Sequence, residues 1–474
     1  MEPNATRREG AMALESDVLV IGGGLAGTTA AIAATREGAD VRLVSYKKST
    51  LRQSSGLIDA LGYVPERDGD SVDSERDGDS VDSGSGTALR GPIVDPFGAI
   101  DDLPEEHPYS VVGADAVEAG FALFDDLVGD AYRGGHTDTN ALFPTFGGTI
   151  KPTARYPAAT AAGVASDDRP MFVVGFRSLT AYDAGALADG LSSSGVPFPV
   201  SGAEVEFAAA FRDDAKITRF ARALDDDEPI EGVPARKALA AAVEPHLSEF
   251  TDSVADTAEI RVGFPAFLGE DRAADVREEL GDRLGAAVFE IPMGPPNLPG
   301  LRLEALLLEE LDAAGVSFET GVKAVDRTVG ADGAVEAVLV DRNGTRVPYA
   351  ADAVVLATGG LIGKGLQSDR KRVTEPVFDC PVSHPADRYD WFVDDAFGGH
   401  PFARFGLATD DRLRPVDPTG NGDPEYPNLF AAGAVLGGAD VAREKSASGV
   451  SLATGVVAGR GAAAVANDTL EANR

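Results

Sequence analysis

The sequence predicts an α/β fold: a Rossmann-like domain of three layers around a parallel sheet, with a second α+β domain inserted into it. Three observations carry the prediction. Val18–Ile21 is a short apolar run, as a strand buried on both faces would be. Gly22, Gly24 and Gly27 follow it in the G-x-G-x-x-G pattern, and a helix of small residues runs from about Ala26 to Glu37. Gly38 then stands where a helix C-terminal glycine belongs, and Val41–Val44 makes a second strand.

Each glycine has a physical task. Gly22 permits the tight turn, Gly24 lets backbone approach a phosphate, and Gly27 allows close packing of helix on strand. The first helical residues, Leu25 and Ala26, then offer free N–H groups at the positive end of the helix dipole. A phosphate-bearing cofactor is the expected ligand. One position departs from the pattern. The second strand should end in Asp or Glu, to hold the adenosine ribose hydroxyls of NAD or FAD. Ser45 stands there instead, followed by Tyr46, Lys47 and Lys48. The two lysines suit NADP or phosphate alone, and FMN, which lacks the adenosine half, becomes an option beside FAD.

Composition narrows the class. A chain of 474 residues is too long for one compact core, so two domains plus insertions are expected. The net charge of −35 argues against nucleic acid and against direct contact with an anionic membrane. With 43% hydrophobic residues, the chain is no disordered acidic tail. Lysine is scarce and acid abundant, a surface suited to molar salt, where the Debye length is about 3 Å. The single cysteine, Cys380, excludes an internal disulfide, a C-x-x-C pair and a cysteine-ligated iron–sulfur cluster. Five scattered histidines make no metal motif. Met1–Glu15 has no apolar core, and no run of about eighteen uninterrupted apolar residues follows, so neither a signal peptide nor a membrane span is expected.

Along the chain, residues 15–62 form the first part of the cofactor domain. Ser54, Ser55 and Gly56 fall just beyond the carboxyl end of its sheet, either covering the cofactor or forming an ordinary loop. Residues 63–100 hold a tandem duplication, RDGDSVDSE then RDGDSVDSG, expected as an acidic disordered insertion. Residues 101–290 read as the inserted domain. Its strand candidates are Met171–Phe176, Glu204–Ala210, Ile260–Phe267 and Ala287–Ile291, and its helix candidates Tyr182–Leu191, Arg219–Leu224, Arg236–Ala242 and Arg272–Leu284. Residues 291–474 return to the first domain. Leu301–Ala313 is an amphipathic helix, and Val316–Thr320 a strand. Val322–Val329 pairs with Val335–Val340 across Ala331-Asp332-Gly333. Ala353–Gly360 (AVVLATGG) is a buried strand whose Thr358-Gly359 turn passes close to a ligand. Asn428–Gly438 (NLFAAGAVLGG) reaches a second glycine turn at Gly433, and a helix over about Ser448–Ala466 offers the amides of Ser448, Gly449 and Val450 to a negative ligand atom. Asp440 either binds ribityl hydroxyls or caps the loop.

The GGGLAG loop, the late VLATGG strand and the terminal LFAAGAVLGG resemble flavoproteins of the fumarate reductase type. In that group the last helix points its N-terminus at the flavin pyrimidine carbonyl, a preorganised dipole at a developing charge. SSGLID (54–59), HPYSVVG (107–113), PAFLG (265–269), GLRL (300–303) and FGLATDDRLRP (405–415) look like the B-subunit family of the anaerobic glycerol-3-phosphate dehydrogenases. The resemblance runs from Asp17 to about Ala466, the acidic repeat excepted.

It implies a quinone-linked complex that oxidises sn-glycerol 3-phosphate to dihydroxyacetone phosphate. In such a complex the flavoprotein A subunit resembles ordinary glycerol-3-phosphate dehydrogenases, and the B subunit holds FMN. The iron–sulfur C subunit delivers electrons to the membrane. FMN agrees with Ser45 and is favoured, with FAD as the alternative. The chain is expected in the cytoplasm, at the inner face of the cell membrane through a partner. Substrate oxidation needs a base and cations for the phosphate, for which His107, Arg404 and Arg414 are candidates against a reading as a loop histidine and surface arginines. If the A subunit oxidises the substrate, this chain needs no base. Two alternatives remain open: a free-standing fumarate-reductase-like or ketosteroid-dehydrogenase-like FAD enzyme, and a non-catalytic scaffold that kept a flavin fold. An NAD(P)-dependent dehydrogenase fits the late segments less well.

Overall fold

A computed structural model of the chain describes residues 13–66, 88–207, 216–254, 259–295, 297–396 and 398–472. The acidic tandem repeat lies outside the described residues, as do the last three positions of the Glu204–Ala210 strand candidate.

The first strand, β1 (Leu14–Ile21), is buried from Val18 onward, and α1 (Leu25–Arg36) and β2 (Val41–Ser45) follow it. Helix α2 (Ala114–Val128) covers one face with Val117, Phe121 and Phe124. A second unit comes next. It contains β3 (Met171–Phe176), α3 (Ala184–Ser193), β4 (Val200–Val205), α4 (Ile217–Asp225), α5 (Ala235–Ser253), β5 (Arg261–Pro265), α6 (Ala273–Leu284) and β6 (Ala287–Ile291). The chain then returns through α7 (Leu298–Ala313), β7 (Ser317–Thr320), β8 (Lys323–Val329), β9 (Val335–Arg342), β10 (Thr345–Leu356), β11 (Leu429–Ala431) and α8 (Ala447–Ala472).

The first sheet runs β7-β2-β1-β10-β9-β8, with β11 also on β10. Five of its strands are parallel, but β8, β9 and the outer half of β10 form an antiparallel meander, so the sheet is mixed where a parallel one was expected. The reason is local. Asn343 and Gly344 both have positive φ between β9 and β10, the geometry of a two-residue hairpin turn. Strand β10 is long enough to serve twice, pairing with β9 through Ala350 and, from Ala353, lying between β1 and β11.

The second sheet, β4-β3-β5-β6, is wholly parallel. The unit is therefore α/β, where α+β was expected. Its strands alternate with helices, and parallel neighbours need such crossovers. It has its own core, centred on Phe172, Phe220, Phe264 and Phe267, and one charged bolt. Arg261 is fully buried over the Phe198 ring and donates to the carbonyls of Ala162, Val164, Asp167 and Arg169. Burial pushes its guanidinium down to about 10, with Asp167 opposing.

Helix α8 runs through the first unit against α1 and α2. Small residues permit this: a Cβ on Gly459 would stand 2.3 Å from the Ala30 carbonyl oxygen. Its Ala447–Thr469 stretch is long and apolar enough to cross a membrane, yet is mostly buried within the fold. Packing against two helices, not lipid, accounts for its composition.

Candidate functional site

The carboxyl ends of β1, β10 and β11 meet at one edge of the first sheet. There the chain leaves β1 at Gly22, whose φ of +120° and approach to the Ala357 carbonyl oxygen (2.1 Å from a built Cβ) admit only glycine. Gly27 is pressed on the Gly22 carbonyl in the same way, at 1.8 Å. Gly24 is the opposite: nothing lies within 4 Å of its Cβ position. Its carbonyl accepts from the Thr28 amide, and no side chain caps α1, so the first amides of the helix have no side-chain partner. A corner with this geometry is able to receive a phosphate.

Beside it, Thr358 follows β10 with a buried Oγ1 that has no hydrogen-bond partner, and Gly359 turns the chain with φ of +82°. Gly433 follows β11, its amide held by the Thr454 hydroxyl at 2.9 Å. At the start of α8, the Gly449 amide donates to the Asp59 carbonyl (2.8 Å) and the Val450 amide to the Ser446 carbonyl (2.9 Å). These two expected ligand contacts are thus spent inside the protein, Gly449 on the 54–60 loop and Val450 on the first backbone bond of the helix itself. Ser448 remains as an amide of the first turn.

That helix start is held by a buried network. The Glu444 carboxylate is 1% exposed and accepts from the Asp440 amide (3.0 Å), the Ser446 hydroxyl (3.2 Å) and His107 Nε2 (3.2 Å). Asp440 caps the short helix Val441–Glu444 through the Arg443 amide, the capping alternative of its two readings. Burial pushes the Lys445 ammonium below its ordinary value, with Lys151 adding to the effect and Asp59 and Asp440 opposing it.

The other expected residues fall as follows. Ser45 donates its hydroxyl to the Lys47 carbonyl at 2.8 Å. It borders a small cavity of about 180 Å³ shared with Gly23, Lys48, Arg52, Glu304 and Phe318. Ser54 and Ser55 hydroxyls accept from the amides of Gly56 and Leu57 two residues on, and the Gly56 carbonyl accepts from Tyr132. This segment is built into the protein as much as it faces the edge. Arg414 is committed to Asp410 at 2.7 Å and is no free cation.

A cavity of about 950 Å³ abuts the Gly433 turn on the side of Leu436–Gly438. Arg404 and Arg443 both line it, half-buried, with no ion pair to a described residue; Arg443 was missed in the sequence because nothing marks it apart from its place before α8. His384 and His400 also line it. Each has both nitrogens engaged: His384 accepts from the Val373 amide and donates to the Pro385 carbonyl, and His400 accepts from the Val393 amide and donates to the Ala396 carbonyl. His107 behaves alike, accepting from the Tyr109 amide and donating to Glu444. None of the three offers a free lone pair as a general base.

An uncapped helix end, an open glycine corner and an orphaned threonine hydroxyl at one sheet edge fit a flavin carrying a phosphate. Fold and site together define an α/β flavoprotein.

Residues 17–450 match the family model described as FAD binding domain. The chain is 53% identical over 461 residues to the probable B subunit of the anaerobic glycerol-3-phosphate dehydrogenase of Halobacterium salinarum, covering 96% of this chain and 100% of that protein. It is 28% identical over 452 residues to the B subunit of the anaerobic glycerol-3-phosphate dehydrogenase of Pectobacterium atrosepticum, covering 92% and 96%. Among solved structures, the open conformation of a flavocytochrome c3 fumarate reductase aligns over 96% of this chain and 79% of that one, at 12% identity and a TM-score of 0.42. The chain belongs to the FAD binding domain family and, within it, to the B-subunit proteins of anaerobic glycerol-3-phosphate dehydrogenase. Its cofactor class is a flavin.

Proposed function

We propose that this chain is the flavin-holding subunit of a quinone-linked anaerobic glycerol-3-phosphate dehydrogenase. It receives electrons from a flavoprotein subunit that oxidises sn-glycerol 3-phosphate and passes them to an iron–sulfur subunit. The 53% identity to a B subunit over that protein's whole length carries the reading. The engaged histidines support a relay over a substrate oxidase, since none of His107, His384 and His400 keeps a free lone pair to take the hydroxyl proton. We place the protein at the inner face of the cell membrane through its partners.

FAD is the flavin proposed. Ser45 and the resemblance to B subunits favoured FMN, but the family is one of FAD binding domains, and the cavity beside Gly23 and Ser45 lies where an adenosine half would extend. Lys47, Lys48 and the apolar wall of Leu307, Leu308 and Phe318 line it. Bound flavin supplies the redox chemistry. The Gly22–Gly27 corner would hold its phosphate, Thr358 and Gly359 its middle, and the Ser448 amide its pyrimidine edge.

A second reading, a free-standing flavoenzyme for a small anionic substrate, is favoured by Arg404 and Arg443 in the 950 Å³ cavity. One preparation separates the readings. The chain, purified in molar salt, is denatured and its chromophore identified by chromatography and mass. Released FAD supports the proposal, released FMN returns the cofactor to the Ser45 argument, and no flavin after reconstitution leaves a scaffold. Reduction of a dye by small phosphates or carboxylates with the isolated chain would favour the free-standing enzyme.

A further inference from the structure

Two surface tips spring from one point of the cofactor edge. Residues 359–366 leave the Thr358 turn and fold straight back: the amides of Gly365 and Leu366 both donate to the Gly360 carbonyl. Ile362 sits at the tip of this loop, 95% exposed, the most exposed of the large hydrophobic side chains among the described residues. From Leu366 the chain enters a small antiparallel ribbon in which Gln367 pairs with Thr374 and Ser368 with Val373. Its turn is Asp369-Arg370-Lys371-Arg372, closed by the Asp369 amide on the Arg372 carbonyl at 3.0 Å and by the Asp369 carboxylate accepting from the amides of Lys371 and Arg372.

The charge of this stretch is opposite to that of the molecule. Lys364, Arg370, Lys371 and Arg372 stand against the single carboxylate of Asp369, in a chain whose net charge is −35. All four cations are exposed, and none forms an ion pair with a described residue. Arginines elsewhere at the surface are commonly paired, as Arg36 is with Asp126 and Arg342 with Glu319. A fully exposed isoleucine, presented on a hydrogen-bonded loop and flanked by unpaired cations, has the anatomy of an apolar anchor with a charged rim. The patch also begins at the cofactor: Ile362 is four residues beyond Thr358, within a reach of about 14 Å.

Resting on the relay reading above, we propose that Ile362 and the Lys364, Arg370, Lys371 and Arg372 rim form the docking surface for the electron-accepting subunit. That partner presents an acidic face around an apolar recess. Charge and position select this occupant. A twofold pair of this chain would set the patch against itself, cation on cation, whereas a redox partner gains from a surface that begins at the cofactor edge. In molar salt only contact-range pairs survive screening, so the isoleucine anchor carries affinity and the cations fix orientation.

The test uses the full chain, tagged and co-expressed with the iron–sulfur subunit, in molar salt. Ile362→Asp and, separately, Lys371→Glu with Arg372→Glu are each expected to lower the co-purified iron–sulfur partner about tenfold with flavin content unchanged, and Ile362→Leu to restore it. Undiminished co-purification in both variants overturns the proposal. So does a retained partner together with Ile362-dependent sedimentation on anionic lipid vesicles, which would make the patch a membrane contact. If the unaltered, flavin-loaded chain captures no iron–sulfur subunit, the relay reading itself fails and takes this surface with it.

Discussion

Two strand-to-helix corners in this molecule share one architecture and end in opposite states. After β1 the chain turns through Gly22–Gly24 into α1, whose first amides have no side-chain partner. After β5 it turns through 266–272 into α6, and there the Asp225 carboxylate fills the corner. It accepts from the amides of Glu270 (2.7 Å), Asp271 (3.0 Å) and Arg272 (3.0 Å). Both corners follow a parallel strand and aim a helix dipole at a small space. In one the protein supplies its own anion; in the other it withholds one. A parallel sheet edge and a helix start are thus not enough to make a cofactor site. What distinguishes the proposed site is a corner left uncapped by any side chain.

The seam between the two units sets the largest expected effect. Arg302 on α7 reaches across to Glu290 on β6 with two bonds, at 2.6 and 3.0 Å, and Glu290 is otherwise buried with only the Leu268 amide. Arg302→Met leaves that carboxylate unpaired and is expected to cost about 3–5 kcal/mol in urea unfolding. A loss below about 1 kcal/mol would mean that the units do not depend on this seam. Asp225→Ala orphans three amides and is expected to cost about 2–3 kcal/mol while flavin content stays unchanged. Loss of flavin in that variant would break the distinction between the corners.

Gly24→Asp makes the open corner imitate the closed one. Gly24 has φ of −84°, and its Cβ position is empty, so the side chain is accommodated. An aspartate there caps α1 and is expected to leave stability equal or about 0.5–1 kcal/mol higher. Flavin should be lost, because the carboxylate occupies the phosphate position. Retained flavin by absorbance after gel filtration would show that the phosphate sits elsewhere. The smallest effect is at Cys380. Burial pushes its thiol well above the usual range, with Glu375 and Glu425 adding to it, so native protein should resist alkylation at pH 8. Labelling during a urea titration then reports opening of the cofactor unit alone, and coincidence with loss of far-UV ellipticity would show both units unfolding together.

Much of the first unit was legible in the sequence. The β1–α1–β2 run, the glycine spacing and the small-residue helix α8 are local patterns, written within a few residues of one another. The β8–β9 hairpin was legible for the same reason, and Asn343-Gly344 carried an equally local signal for the next turn. The parallel order of the second sheet was less so, since alternation of strands and helices allows parallel pairing without stating which strands meet. The engagement of His107, His384 and His400 was not legible at all. Neither was the commitment of the Gly449 amide to Asp59, nor the two arginines sharing one cavity. Each depends on partners brought together from distant segments, as Glu444 is to His107 across 337 positions.

By itself, then, the sequence determined which corner carries the glycine spacing of a phosphate loop, because glycine and helix periodicity act within one turn of chain. Tertiary structure alone decided which corner stays open and which side chains remain free there. A carboxylate, an amide or an imidazole is spent or spared only when the folded chain brings its partner within hydrogen-bond distance.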